Sequence, residues 1–405
     1  MSKRILFLTP QLPYPPQQGT AIRNYNLLKQ AAKRHEVYLL SFDSAPSPVV
    51  DLSPLDSLCV VWHAVPPRHR SSWERFLTVL VSPRPDIAHR LSSPLFAQKL
   101  QSMLEVVQPD VVQVEGLEMA QYALWARQVG NKDFLLVYDA HNAEYLLQQR
   151  IFETDARRPQ RWLGALYSFI QWRKLRPYEA LVCRQAQRVI TCSRADADAL
   201  SRLVPGLKTI ILPNGVDTEY YCPDTVTPLP LGSQALVFTG KMDFRPNVDA
   251  VLWFSTKVLP IIRQASPDVH FYIVGKNPHP RLTSLRDMPG VTITGFVEDV
   301  RPYIAAAAVY VVPLLTGGGT RLKVLEAMAM NKAIVSTTLG CEGIHVVPGQ
   351  DVVLADEPRD FASQVLALLQ DEARRGQLGR AARTFVERYF DWNIVAVSLE
   401  QAYAH

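Results

Sequence analysis

Three consecutive glycines, Gly317, Gly318 and Gly319, precede Thr320, Arg321, Lys323 and Glu326 in a chain of 405 residues. Each glycine costs backbone entropy on ordering, so a run of three suits a turn that passes close to a ligand and exposes its N–H groups. Thr320 is placed to cap a helix expected over Arg321 to Met330, whose first turn offers unpaired N–H donors and a partial positive charge. Arg321 and Lys323 fall in that same turn, where the helix dipole prefers carboxylates. The segment is therefore locally unfavourable unless an anion binds there, and a phosphate or diphosphate fits best. Glu326 lies three residues beyond Lys323 and shares its helix face, in reach of ribose hydroxyls. The alternative is a solvated Lys323–Glu326 pair after an ordinary strand–helix turn.

Other suggestive residues also follow apolar runs that read as strands. Gly240-Lys241 follows Leu236 to Thr239, with Arg245 four residues further on, and Gly295-Phe296 follows Val291 to Thr294. In the first half, Gly19 closes the proline-rich loop after Arg4 to Thr9, and Arg23 comes one turn later as a possible added charge. Glu115-Gly116 and His141-Asn142 end two more runs. Ligands of open α/β sheets sit beyond the carboxyl ends of strands, so all of these are candidates. His141 is placed to carry a proton near neutral pH. Asp196-Ala197-Asp198 has the spelling of a metal-binding motif, but after Ser193 it reads as a capped helix start. No cluster of His, Cys and carboxylates has metal-ligand spacing, so no metal and no other cofactor is expected.

These groups must be positioned by alternating short apolar runs and helical patterns, which signify stacked βα units around parallel sheets. The length predicts two domains. The expected division is a first domain over 1–213, a linker over 214–233 around the prolines at 223, 228 and 230, a second domain over 234–388 and a last helix over 389–405. Residues 144–187 read as mainly helical.

The run GGGTRLKVLEAMAMNKAIV resembles the donor-site signature of the GT-B retaining glycosyltransferases of family 4 (glycosyltransferase group 1). The resemblance implies an α/β chain of GT-B type: two facing doubly wound Rossmann-like domains with an interdomain cleft, and a C-terminal helix packing back on the first. It implies transfer of a sugar from a nucleotide diphosphate donor, which is a substrate and not a cofactor, to a glycan or lipid-linked glycan hydroxyl. Carried over residue by residue, it gives His141, Lys241 and Arg321 catalytic roles. Gly19, Gly240, Arg245, Gly295, Phe296, Gly317, Gly318, Gly319, Thr320, Lys323 and Glu326 would bind the donor. The sequence departs from the pattern at Gly318, where the family places the first of two carboxylates, and after Lys241, where Pro246 stands in place of a second cation. TPQLPYPPQQG and GKMDFRPNVDAVLWF resemble a bacterial subgroup associated with exopolysaccharide biosynthesis. A GT-B sugar-nucleotide 2-epimerase and a non-catalytic sugar-nucleotide-binding protein remain as alternatives.

Composition bounds the rest. A hydrophobic fraction of 48% and a charged fraction of 20% are those of a globular protein. Five cysteines without a CxxC pair suit a reducing cytoplasm. The basic charge gathers in residues 1–213, with 26 Lys and Arg against 18 Asp and Glu. Arg150 to Arg176 interleaves basic residues with Trp162, Tyr167, Phe169 and Trp172, a mix suited to peripheral contact with anionic lipid at the inner face of the cell membrane. A solvated basic face explains it as well. No nucleic-acid-binding module is present.

Overall fold

A computed structural model of the chain describes residues 2–16, 19–43, 51–68, 70–129, 134–157, 159–316 and 321–404. The expected glycine turn, Gly317, Gly318 and Gly319 with Thr320, lies outside the described residues, as does Arg158 of the basic stretch. The chain divides into two compact units, Met1–Pro213 with Val395–His405, and Asn214–Ile394.

The first unit holds a seven-stranded sheet built from β1 (Arg4–Thr9), β2 (Glu36–Phe42), β3 (Val61–Val65), β4 (Val111–Glu115), β5 (Leu135–Ala140), β6 (Arg188–Thr191) and β7 (Thr209–Ile211). Its order is β3-β2-β1-β4-β5-β6-β7, with every pair parallel. Strands covered on both faces should be apolar nearly throughout, and Ile5 to Leu8 and Val111, Val112 and Val114 are fully buried. One face packs Phe96, Leu100 and Tyr122, and the other packs Leu175, Tyr178 and Leu200.

The second unit holds β8 (Ala235–Thr239), β9 (His270–Val274), β10 (Val291–Gly295), β11 (Val309–Val312), β12 (Ile334–Ser336) and β13 (Val353–Leu354). Their order, β10-β9-β8-β11-β12-β13, is that of a doubly wound dinucleotide-type sheet, and its direction switches between β8 and β11. Its core includes Phe238, Phe254, Phe271 and Phe361, all fully buried.

Two boundaries differ from those expected. Residues 214–233 are not a separate linker; they belong to the second unit. Val216 is buried in that unit's core and pairs with Asp391, and its N–H donates to the Phe390 carbonyl at 2.8 Å. The prolines there break periodicity without making the segment free. The division near the end falls between Ile394 and Val395, inside the helix Trp392–Tyr403, and not at 388. From Val395 onward the chain belongs to the first unit, where Tyr403 is buried and donates to Gln113 Oε1 of β4 at 2.5 Å.

At the carboxyl ends of β8 and β9 the backbone passes very close to itself. A Cβ on Gly275 would lie 1.7 Å from the Gly240 carbonyl oxygen. That atom belongs to the backbone and cannot step aside. Gly275→Ala should therefore destabilise the protein by about 3 kcal/mol, at the upper end of overpacking costs, measured by chemical denaturation.

Candidate functional site

In the second unit the switch between β8 and β11 gathers a cation and a carboxylate from the helix Leu322–Ala329. Arg321 is the residue before that helix and makes no side-chain cap, so the expectation of a helix beginning at Arg321 is corrected by one residue. Lys323 reaches back to the end of β8. Its Nζ donates to Asn247 Oδ1 at 2.8 Å and lies 3.8 Å from the centroid of the Phe238 ring, a cation–π contact. Gly240 makes this approach feasible, because a Cβ there would sit 2.7 Å from Nζ. Burial pushes the Lys323 ammonium down to about 7, with Arg321 adding to the fall and Glu326 opposing it.

Glu326 faces the same site. Burial raises its proton affinity, while a hydrogen bond from Tyr221 and the charge of Lys323 pull the other way. Lys323 and Glu326 are both partly buried and hold different partners, Asn247 and Tyr221. That geometry differs from a solvated surface pair. Arg321 is nearly buried, and its Nη2 lies 3.7 Å from Glu342 Oε2, a half-exposed carboxylate in the turn after β12.

The remaining expected donor groups are more open. Lys241 Nζ lies 3.4 Å from Asp243, and Arg245 Nε lies 3.5 Å from Asp249. Arg245 begins the helix Arg245–Trp253, with Pro246 in its first turn. Gly295 ends the edge strand β10 with φ +74°, and the Phe296 ring after it is 67% exposed. In the first unit Gly19 begins the helix Gly19–Ala31 in open space.

The first unit builds a second polar site at the ends of β4 and β5. Arg23 was expected to add a charge for the ligand, but it is turned into the protein and fully committed. Its Nε and Nη2 donate to the two oxygens of Asp139 at 2.9 Å each, and Nη1 donates to the Leu212 carbonyl at 3.1 Å. Glu115, also buried, accepts from Gln113 Nε2 at 2.6 Å and from His141 Nε2 at 3.0 Å. With its nitrogen turned toward the carboxylate, Asn24 adds a donor to Glu115 Oε2 at 2.9 Å.

Burial alone would lower the proton affinity of His141, yet the Glu115 hydrogen bond and the charges of Asp139 and Glu115 outweigh it and raise the imidazole above its ordinary value. Nε2 is engaged with Glu115, so Nδ1 is the ring nitrogen left for a ligand. Gly116, at φ +81°, brings only backbone to that edge; a Cβ there would lie 3.6 Å from Nδ1. A proton held at the ring is compensated by Glu115.

Glu115, Asp139 and His141 bring ligand-type atoms within 4.8 Å of one another. They do not fit a metal ion: both Asp139 oxygens hold Arg23 and both Glu115 oxygens hold other donors, beside a buried guanidinium that repels a dication. The Asp196 motif is likewise accounted for, since Ser193 Oγ caps the Asp196 N–H at 3.1 Å and Asp196 Oδ1 accepts from Ala143 at 2.9 Å.

Sequence reasoning missed Asp139, Gln113, Asn247, Tyr221 and Tyr403. A polar residue inside an apolar run marks the first two, as in VVQVE and LLVYDA. No local signal marks the others, whose partners are distant in the chain.

A family model described as Glycosyltransferase Family 4 matches residues 18–220, and one described as Glycosyl transferases group 1 matches residues 233–371. An uncharacterized 44.6 kDa protein in a cps region of Klebsiella pneumoniae is 23% identical over 38% of this chain and 42% of its own length. A glycogen synthase of Mycobacterium tuberculosis is 27% identical over 62% of this chain and 61% of its own. The chain thus spans between two fifths and three fifths of these curated relatives. Among solved structures, Anabaena HepE in complex with UDP and glucose superposes with a TM-score of 0.66 at 17% identity, covering 98% of each chain. That likeness is one of fold.

Two tests follow from the electrostatics. The folded Lys323 value, about 7, lies below the ordinary 10.5. The cost of keeping it protonated is therefore complete below pH 7 and fades as pH rises toward 10.5. Lys323→Met should stabilise the protein by about 1–2 kcal/mol at pH 6 and progressively less above pH 7, measured by denaturation across pH. For His141 the sign is opposite: its raised value contributes stability below the unfolded value, lost as pH rises through the folded one. Glu115→Gln should lower the His141 titration midpoint and remove that contribution, read by NMR of the imidazole; an unmoved midpoint would refute the coupling.

Proposed function

The chain belongs to glycosyltransferase family 4, and from that premise we propose that it transfers a sugar, with retention, from a nucleotide diphosphate donor to a hydroxyl of a glycan or lipid-linked glycan. The observation that carries this reading is the partly buried Lys323 at the end of β8, one turn from Glu326 at the switch point of a doubly wound sheet. A cation with a depressed proton affinity gains most from an anionic ligand, because the ligand restores the charge balance that burial removed. In this reading Lys323, with Lys241 and Arg321, receives the diphosphate. Glu326 holds ribose hydroxyls beside Tyr221, and Phe296 and Gly295 meet the base. Arg245 is a further donor-binding cation, and Gly19 and Gly240 are further donor-binding positions.

The chemistry breaks the bond between the anomeric carbon and the diphosphate oxygen and forms one to the acceptor oxygen on the same face, while the acceptor proton passes to the leaving diphosphate. The negative charge that develops on the diphosphate is stabilised by the fixed cations and the helix start, without a metal ion. His141, held by Glu115, hydrogen-bonds a sugar hydroxyl through its free ring edge. The cps region in the name of the Klebsiella relative supports a role in exopolysaccharide or envelope polysaccharide synthesis.

Titration of nucleoside, monophosphate and diphosphate against two variants tests the donor site. Glu326→Ala should weaken nucleoside binding by about 1.5–3 kcal/mol, roughly 10- to 150-fold. Lys323→Ala should spare the nucleoside and weaken the diphosphate, most clearly below pH 7. Diphosphate affinity unchanged in both variants refutes the site. Turnover of donor without any acceptor would instead favour an epimerase.

A further inference from the structure

The helix Ser72–Val81 is amphipathic, yet it is turned the wrong way round for a core helix. Trp73, Phe76, Leu77 and Val81 share one face at i, i+3, i+4 and i+8, and they are 66%, 53%, 41% and 80% exposed. The Trp73 and Phe76 rings stack with centroids 5.7 Å apart. A surface helix ordinarily turns such a stripe inward. Here the polar side holds the helix to its unit. Arg70 Nη2 donates to Thr78 Oγ1 at 2.5 Å while Nη1 pairs with Asp86 at 3.0 Å. Lys174 Nζ donates to the carbonyls of Val79 and Ser82 at 2.5 and 2.7 Å. A Ser71–Glu74 capping box closes the other end.

The neighbouring helix Trp162–Gln185, which supplies Lys174, exposes Trp162, Leu163, Leu166 and Tyr167 in its first turns. Lys174 joins the two helices directly, and the charges of Asp86, Arg90, Arg70 and Arg75 reach the Tyr167 hydroxyl in the first turns of the second one. Around them residues 66–90 carry five arginines against Glu74 and Asp86.

We propose that the outward face of helix Ser72–Val81, with the first turns of helix Trp162–Gln185, docks this chain on an anionic lipid bilayer. An apolar face rimmed by arginines matches the two layers of such a surface: acyl chains meet Trp73, Phe76 and Leu77, and anionic headgroups meet Arg68, Arg75 and Arg84. At 10 residues the helix is too short to span a bilayer and lies in its interface. Among the described residues no helix of the chain is long and apolar enough to cross one. A second copy of the chain is a poorer occupant, because a symmetric contact would bring the same arginines together. The Arg150–Arg176 stretch identified from sequence contributes the second helix, and the inserting element is the first.

Flotation of the full chain with phosphatidylcholine vesicles, with and without phosphatidylglycerol, tests this. The wild type should bind the anionic vesicles, more weakly as salt rises, and bind pure phosphatidylcholine far less. Trp73→Ser, Phe76→Ser and Leu77→Ser combined should weaken binding by about tenfold or more, since they remove only the inserting side chains. All three are exposed, so the variant should keep the wild-type melting temperature. Equal binding by wild type and variant overturns the proposal, as does no binding at low salt. Wild-type self-association that the variant loses, without vesicle binding, assigns the face to a second copy and overturns it too.

Discussion

Arg23 and Asp139 are both out of contact with water, and 116 positions of sequence separate them. A charge so placed is tolerable only while its partner stays in bidentate register, because loss of either leaves the other buried and uncompensated, at a cost of about 3–5 kcal/mol. The pair fixes the helix Gly19–Ala31 against the end of β5, and through Leu212 against the end of β7. The polar groups beside it, Glu115 and His141, are arranged around that constraint. Asp139 cannot relax toward solvent, so Glu115 beside it carries an unfavourable second negative charge. His141, Gln113 and Asn24 compensate it. The raised proton affinity of His141 thus depends on a pairing elsewhere in the network.

The second unit solves the converse problem. Lys323 has no bidentate carboxylate; it has an amide oxygen, an aromatic face and a carboxylate one turn away that is itself hydrogen-bonded to Tyr221. The buried Arg23, Asp139, Glu115 and His141 offset one another, whereas this one is left under-compensated. A folded chain keeps such a residue at a cost in stability where binding requires it.

Much of the architecture was legible because parallel strands covered on both faces read as apolar runs, and the thirteen strands of the described residues coincide with such runs to within a few residues. The site was legible where strand ends coincide with glycine or charge, as at Gly240-Lys241 and His141. It was illegible where partners come from far away: Tyr221 for Glu326, Arg23 for Asp139 and Tyr403 for Gln113. Prolines misled in the 214–233 stretch, since they interrupt periodicity whether or not the segment is packed. The helix Ser72–Val81 also went unread, because an apolar stripe does not say which way it faces.

The first unit is discontinuous in sequence: Gln113 in β4 hydrogen-bonds Tyr403, Lys3 Nζ donates to the Tyr403 carbonyl, and Arg188 reaches the Ala404 carbonyl at 3.2 Å. A ribosome makes residues 214–394 between the two parts. During synthesis, then, the earlier-born unit stays unfinished while the later-born one can already close its own sheet. The donor to Gln113, and through it the support of Glu115 and His141, arrives only after residues 214–394 have been made.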